Sequence, residues 1–293
     1  MANLKEVRNR IASVGSTMQI TSAMKMVSAS KLRRAQNSVV ALRPYSALLS
    51  KIISNIMDDE NELMESPYGR NEKLDKVLLI VLSSNKGLCG GFNSNIIKEV
   101  RKRVEQIYQQ DKYIKVDIMS FGKKTSEYLC RSKECEVIKT DDAIWDNLTF
   151  EKVNLIAQEV MKLFVSKKYD RVEIIYNKFK NAATQIISNE VFLPLSSLSD
   201  SENKTINKFY IFEPSREDII QNIIPQALKT QFFRCFLDSF AAEHGARMTA
   251  MHKATDNAEG LLKELKLSYN KARQSAITNE IIEISSAAEA LNG

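Results

Sequence analysis

The chain has 293 residues, of which 44% are apolar and 27% are charged, and this balance excludes disorder as its main state. It contains only 9 glycines and 5 prolines, which favours long uninterrupted helices, and its net charge is +6. Its longest purely apolar run, Val77 to Leu82, is far shorter than the roughly 20 residues that a membrane-spanning helix needs. The N-terminus also lacks the apolar core of a secretory signal, so we expect a cytosolic chain with reduced cysteines.

The excess positive charge is concentrated in the first segment of the chain. Residues 1–43 hold eight lysines and arginines against one glutamate, whereas residues 226–293 are balanced. A basic stripe of this kind indicates an acidic partner, which leaves nucleic acid, anionic lipid and an acidic protein surface open.

Residues 1–58 are predicted to form a long helix, because apolar residues recur in alternating steps of three and four. Three consecutive positions of this seam are polar: Thr21, Lys25 and Ser28. A second apolar row lies beside them: Ile20, Met24 and Val27. We therefore expect the packing stripe to rotate around the helix at this break. We also expect the polar residues to weaken the contact between the helices there. Pro44 is a possible kink, and the acidic residues 59–74 are predicted to be a linker.

Residues 75–213 are predicted to form an α/β domain, because strand-like and helix-like segments alternate. The strand-like segments are KVLLIVLSS, KVDIMSFG, a weak one near Val137, RVEIIYNKF, TQIISNEVF and KFYIFEP. The helix-like segments are SNIIKEVRKRVEQIYQQ, KTSEYLCR and TFEKVNLIAQEVMKLFVSKK. This order implies a mostly parallel, Rossmann-like sheet with helices on both faces.

Residues 214–293 are predicted to form a second long helix, which Pro225 kinks or splits near its start. Its seam includes His244, which we interpret as a packed histidine, and it slips by one residue at Ile277 to continue through Ile281 and Ile284. A helix of about 100 Å exceeds a compact domain of this size. We therefore expect the two terminal helices to form an antiparallel coiled coil that protrudes from the α/β domain. A helical bundle packed on the middle domain is the alternative.

The loop SSNKGLCGGFNS (83–94) is the segment that most resembles a phosphate-binding loop, because it follows a buried strand and opens a helix. Its glycines match neither the P-loop nor the dinucleotide-binding spacing, so a tight turn explains them as well. Cys89 in this loop is interpreted as a packed thiol. The cysteine and histidine spacing indicates no metal site, and we predict neither a cofactor nor a catalytic residue.

The ends of the chain carry a specific resemblance. The segments ANLKEVRNRIASVGSTMQITSAMKMVSASKLRRAQ, GLCGGFN and EHGARMTAMHKATDNAEGLLKELKLSYNKARQSAITNEIIEI closely resemble the gamma subunit of the rotary ATP synthase. The likeness covers essentially the whole chain.

What the resemblance implies is a non-catalytic central rotor shaft. In that family the terminal helices thread a hexamer of alpha and beta subunits, while the α/β domain binds the epsilon subunit and the ring of c subunits. Proton flow turns the ring and the shaft, and the shaft drives the beta sites through their conformations for ATP synthesis. We therefore expect a peripheral protein on the cytoplasmic face of the bacterial inner membrane, with no nucleic-acid partner and no membrane span of its own.

The resemblance also assigns contact residues. Met24 and Arg247 are similar to the family's contacts between shaft and beta subunit, and Lys25 is expected with them among the contacts to the alpha/beta head. Contacts higher in the head are implied for Arg273, Gln274 and Thr278, and Tyr210 resembles the foot that meets the c ring and epsilon. The basic first helix suits acidic loops on beta subunits.

Two other functions are compatible with the residues alone. One is a nucleic-acid-binding coiled coil, although the basic helix lacks the interleaved aromatic residues of single-strand binders. The other is a nucleotide-dependent α/β enzyme that uses the glycine loop. Co-purification with a hexameric ATPase would separate all three functions.

Overall fold

The computed structural model describes residues 4–56, 67–69, 73–132, 135–195 and 216–292. The helices are α1 (Leu4–Ile56), α2 (Phe92–Gln110), α3 (Lys123–Ser132), α4 (Phe150–Val165) and α5 (Arg216–Asn292), with a 3₁₀ turn at Ala143–Trp145. The strands are β1 (Lys76–Leu82), β2 (Lys115–Phe121), β3 (Glu136–Thr140), β4 (Arg171–Phe179) and β5 (Gln185–Leu193). The segment KFYIFEP, predicted as a strand, and most of the predicted linker lie outside the described residues.

The chain divides into two compact units, and each long terminal helix contributes residues to both. The first unit combines residues 1–28 with 248–293, and the second comprises residues 29–247. Pro225 does not split α5, which is continuous from Arg216 to Asn292. Ile224 and Leu228, on either side of this proline, are buried in the core of the second unit, and this packing holds the helix in one piece.

In the first unit, α1 and α5 form the predicted antiparallel pair. The Arg8 guanidinium donates a hydrogen bond of 3.0 Å to the Tyr269 hydroxyl, and further along α1 the Thr21 and Thr255 hydroxyls are 2.9 Å apart. Because the residue number falls on α5 as it rises on α1, the two helices run in opposite directions. Val7 on α1, and Met251 and Ala258 on α5, are buried seam residues, as the spacing predicts.

The polar break does not rotate the packing stripe, so that prediction was wrong. Thr21 and Ser28 are buried on the original seam, while Ile20 and Val27 of the supposed second row are 60% and 58% exposed. The Thr21 hydroxyl remains on the seam because it finds a partner there: Thr21 bonds to Thr255, which in turn donates to the carbonyl of Met251. The break is therefore a polar layer within a continuous seam.

The second unit contains a five-stranded sheet in the order β3-β2-β1-β4-β5. Strands β3, β2, β1 and β4 are parallel, and β5 pairs antiparallel with β4. The sheet is therefore mostly parallel, as predicted, and the fold class of long terminal helices with a central α/β domain is confirmed.

Strand β1 is buried on both faces because helices cover each of them. Leu78, Ile80 and Leu82 pack in a core that includes apolar residues of α4 and of α5 up to Phe236. The alternate residues Val77, Leu79 and Val81 pack in a second core with α2, α3 and two alanines of α5. The unbroken apolar run in the sequence thus reflects two hydrophobic layers.

A buried ion cluster lies between the sheet and α2. The Glu173 carboxylate of β4 accepts hydrogen bonds of 2.7 and 2.6 Å from the Arg103 guanidinium and one of 2.8 Å from the Asn189 amide. Burial alone would raise the pKa of Glu173, but these hydrogen bonds and the charges of Arg103 and Arg171 lower it overall. The carboxylate is therefore kept ionised inside the domain.

The polar layer leads to a prediction about the stability of the helix pair. Thr21→Val removes the bond between the helices and is expected to lower the free energy of unfolding by about 1 kcal/mol. Thr21→Val combined with Thr255→Val should recover most of that loss, because two methyl groups then pack where two hydroxyls met. Chemical unfolding of the full-length chain measures both.

Thr17→Val is the matched control, because the Thr17 hydroxyl is exposed on α1 and donates to the carbonyl of Ser13 within the same helix. It should change the unfolding free energy by a few tenths of a kcal/mol at most. A double variant that loses the sum of the two single losses would show that the hydroxyls do not act as a pair.

Candidate functional site

The residues assigned to partner contacts on α1 lie beside the polar layer. The Met24 and Lys25 side chains are both half-buried, next to the buried Thr21. Each therefore has one side against the helix pair and another that is open to contact. A packed stem with an accessible end suits a side chain that must hold a defined position and still touch a partner.

The three residues assigned to the head on α5 are exposed on one stretch of helix. Arg273, Gln274 and Thr278 all point their side chains to solvent, and the Thr278 hydroxyl donates to the carbonyl of Gln274 at 2.9 Å. Gln274 and Thr278 are four residues apart and so share a helix face. This polar surface is available to another molecule.

The predicted continuation of the α5 seam is not buried within this chain. Ile277, Ile281 and Ile284 are 47%, 61% and 70% exposed. The reason is the pairing itself, because Arg8 already lies beside Tyr269 and the described part of α1 begins at residue 4. The described residues of α1 thus end before they could cover these isoleucines.

Tyr210, assigned to the foot, lies outside the described residues, so its contacts stay a prediction.

In the second unit, the glycine loop between β1 and α2 is fixed by its own side chains. The Ser84 hydroxyl donates to the carbonyl of Lys86 at 2.8 Å and also bonds with the Asn93 side chain at the start of α2. Asn85 joins the loop to the next two strand ends: its amide donates to the carbonyl of Asp142, and its oxygen accepts from the backbone N–H of Lys123. These hydrogen bonds therefore hold the loop in a defined conformation at the C-terminal edge of the sheet.

Cys89 is a packed thiol within this loop. It is buried, and burial raises the pKa of the Cys89 thiol despite hydrogen bonding to Ser84 and the nearby charge of Arg247. A thiol with a raised pKa carries little thiolate at neutral pH and is a poor nucleophile.

Arg247 on α5 contacts the loop, and it is only 6% exposed. Its guanidinium donates to the Lys86 carbonyl at 2.9 Å, to the Gly87 carbonyl at 3.4 Å and to the Glu243 carboxylate at 2.6 Å. Burial raises the pKa of Glu243, although the charge of Arg247 opposes the rise. The arginine thus connects helix, loop and carboxylate inside the unit.

His244 is a packed histidine, in agreement with the sequence interpretation. Its ring lies 4.5 Å from that of Phe240, nearly perpendicular to it. Burial, together with the charges of Arg247 and Lys31, lowers the pKa of His244 to about 3. The ring is therefore neutral at physiological pH and does not add charge to this cluster.

The crevice where an open α/β sheet would hold a nucleotide contains the protein's own helix. That crevice lies at the carboxyl ends of β1 and β4, where the strand order reverses. Ala242 and Ala246 of α5 pack in the core there, and a side-chain carbon on Gly245 would lie 3.3 Å from the Phe179 ring. The loop offers carbonyls to an arginine here, which is an internal packing contact.

Within the described ranges, no group of three or more histidine, cysteine, aspartate or glutamate side chains could hold a metal ion. None of the helices in the described part of the chain is both long and apolar enough to cross a membrane.

The described geometry defines an α/β protein whose terminal helices pair antiparallel and leave contact surfaces exposed. A family model described as ATP synthase matches residues 3–291. The chain is 51% identical to the ATP synthase gamma chain of Christiangramia forsetii and 53% identical to that of Flavobacterium johnsoniae, and each alignment covers all of both chains. The chain therefore belongs to the gamma-chain family of the ATP synthase.

Solved structures share the fold. A chain of the Euglena gracilis mitochondrial ATP synthase, in a structure of OSCP/F1/c-ring, has a TM-score of 0.65 at 20% identity, covering 98% of this chain and 94% of its own. A chain of the Tetrahymena thermophila mitochondrial ATP synthase, described as central stalk/c-ring, has a TM-score of 0.60 at 23% identity, covering 80% and 99%. At these identities the likeness concerns the fold.

Sequence reasoning missed how Arg247 is held. The spacing of Glu243 and Arg247, four apart on a helix, could have signalled their ion pair. The loop carbonyls that Arg247 contacts are about 160 residues away in sequence, so no local sequence pattern could predict these hydrogen bonds.

The close fit of α5 at the crevice leads to a prediction on Gly245. Gly245→Leu should lower the free energy of unfolding by about 1–3 kcal/mol, because the larger side chain must displace Phe179 and the backbone of Ala182. Gly260→Leu is the matched control on the same helix, since nothing lies within 4 Å of an added side-chain carbon there. It should stabilise the helix slightly. Equal effects in chemical unfolding would contradict the close fit.

Proposed function

We propose that this chain is the central-stalk rotor subunit of a proton-translocating ATP synthase. In this role it couples proton flow through the membrane c ring to the conformational cycle of the beta catalytic sites, and it has no catalytic site of its own. The observation that carries the proposal is the full-length similarity to ATP synthase gamma chains, with an ATP synthase family model matching residues 3–291, in a chain whose terminal helices pair antiparallel. Two helices joined along a seam resist twisting better than one, as torque transmission requires.

The proposed head contacts are made by exposed or half-exposed side chains of the helix pair. Met24 and Lys25 on α1 would touch the beta subunits, and Arg273, Gln274 and Thr278 on α5 would meet the alpha/beta hexamer higher in the head. Their accessibility in the described structure supports this assignment. The basic character of residues 1–43 supports docking against acidic loops, because opposite charge guides the fit.

The foot of the stalk is assigned to the α/β portion of the chain. We propose that residues 75–213 bind the epsilon subunit and the c ring, with Tyr210 in the contact, and that residues 1–58 and 214–293 supply the shaft, joined through the linker 59–74. The complex would hold this chain as a peripheral subunit on the cytoplasmic face of the bacterial inner membrane.

Co-purification tests the proposal directly. An affinity tag on this chain, expressed with its alpha and beta subunits, should retrieve a complex that hydrolyses ATP, and the tagged full enzyme in membrane vesicles should pump protons when ATP is supplied. Recovery of the chain without alpha and beta subunits, or bound instead to nucleic acid with affinity falling log-linearly with salt, would reject it.

Met24 provides a prediction about coupling. Met24→Lys places a charge where a half-buried apolar side chain faces the head, and an added ion pair to beta would resist the movement of the shaft. We expect ATP hydrolysis to continue in inverted vesicles while the number of protons pumped per ATP falls at least twofold. Met26→Lys is the matched control, because Met26 is exposed on a neighbouring face of α1 and gains the same charge. Unchanged pumping in the Met24 variant would refute the assignment.

A further inference from the structure

The Arg247 guanidinium donates hydrogen bonds to groups of its own chain. Its Nη2 bonds to the Lys86 and Gly87 carbonyls, its Nη1 to the Glu243 carboxylate, and its Nε lies 3.4 Å from the Gly87 carbonyl. A guanidinium bound by the loop carbonyls and by Glu243 is poorly placed to reach another subunit directly. The resemblance assigns this arginine to coupling, so its effect needs another route.

The loop that Arg247 contacts exposes two side chains that another subunit could bind. Leu88 is 64% exposed, and its φ of 61° places it in the left-handed region, which a leucine adopts only when its surroundings enforce it. Lys86 is exposed two residues earlier, while Cys89 on the other side is buried. The loop thus directs a basic and an apolar side chain outward from a strained backbone.

We propose that Arg247 is a positioning residue: it fastens the glycine loop, Ser83–Gly91, to α5, so that the exposed Lys86 and Leu88 keep a fixed place on the rotor. The consequence for coupling rests on the proposed function above. The fastening itself does not, because it depends only on contacts within the second unit.

The chemistry of the site requires arginine. One planar guanidinium can donate in two directions at once, to the loop carbonyls and to Glu243, whereas an ammonium is a single point of attachment. The Glu243 carboxylate neutralises the buried charge, and the loop carbonyls satisfy the remaining donors. Arg247→Lys is therefore expected to keep the positive charge but only part of the attachment to the loop.

The native cysteines supply the measurement. In the purified full-length chain, Cys89 is buried in the loop, Cys235 is buried in the sheet core and Cys130 is exposed. Arg247→Met should speed alkylation of Cys89 by N-ethylmaleimide about tenfold, because local opening of the loop becomes easier. Cys235 should react as slowly as before, and Cys130 should react fast in every variant.

Two further variants separate the contacts. Arg247→Lys should give an intermediate rate at Cys89. Glu243→Gln keeps the shape and the loop carbonyls as acceptors but leaves the buried Arg247 charge without its counter-charge, so its Cys89 rate should rise less than the rate in Arg247→Met. An unchanged Cys89 rate in Arg247→Met overturns the proposal, and so does equal acceleration at Cys235, which would mean that the whole unit opens.

The number of protons pumped per ATP in inverted vesicles tests whether the contacts between Arg247 and the glycine loop matter for coupling. Arg247→Met and the pair Lys86→Ala with Leu88→Asn should each lower the protons pumped per ATP, and their combination should lower it no further, because both act through one loop. Additive losses would indicate a direct contact of Arg247 with another subunit and overturn the positioning role. Failure of the unaltered enzyme to pump would refute the proposed function, while the alkylation rates would still decide the fastening.

Discussion

The structure depends on one constraint: an amphipathic helix as long as α1 or α5 must bury its apolar seam against another helix. Here the partner is the other end of the same chain, with Thr21 beside Thr255 and Arg8 beside Tyr269. Because these pairs differ in chemistry, a shift of one helix along the other would separate hydroxyl from hydroxyl and guanidinium from phenol. Specific polar contacts in an apolar seam define register in this way.

The same logic applies where α5 passes through the second unit. Gly245 lets the helix approach Phe179, the alanines on either side pack in the sheet core, and Arg247 binds the loop carbonyls. The crevice at the reversal of strand order is thereby used for packing. The usual ligand crevice of this α/β sheet therefore holds the protein's own helix, in a chain that belongs to the gamma-chain family.

Much of the fold could be predicted from the sequence because it rests on local periodicity. The apolar run at β1 and the three-and-four spacing of α1 and α5 indicated a mostly parallel sheet and an antiparallel helix pair. The prediction for the polar break was wrong because the spacing shows that Thr21 is polar but not that the Thr255 hydroxyl lies opposite it. The exposed Ile277 and Ile281 continue the seam in sequence, yet α1 gives them no cover. The link from Arg247 to Gly87 joins distant segments, and only the fold brings them together.

We propose that the paired helices α1 and α5 act as a rod in one fixed register. Replacing Thr21 and Thr255 with cysteines in the complete enzyme and oxidising it tests this most directly, with the disulfide located by mass spectrometry of the linked peptides. We predict that the cross-link forms readily within one chain and that the locked enzyme still pumps the same number of protons per ATP. Failure of the two cysteines to join, or pumping that stops when they join and returns on reduction, would contradict it.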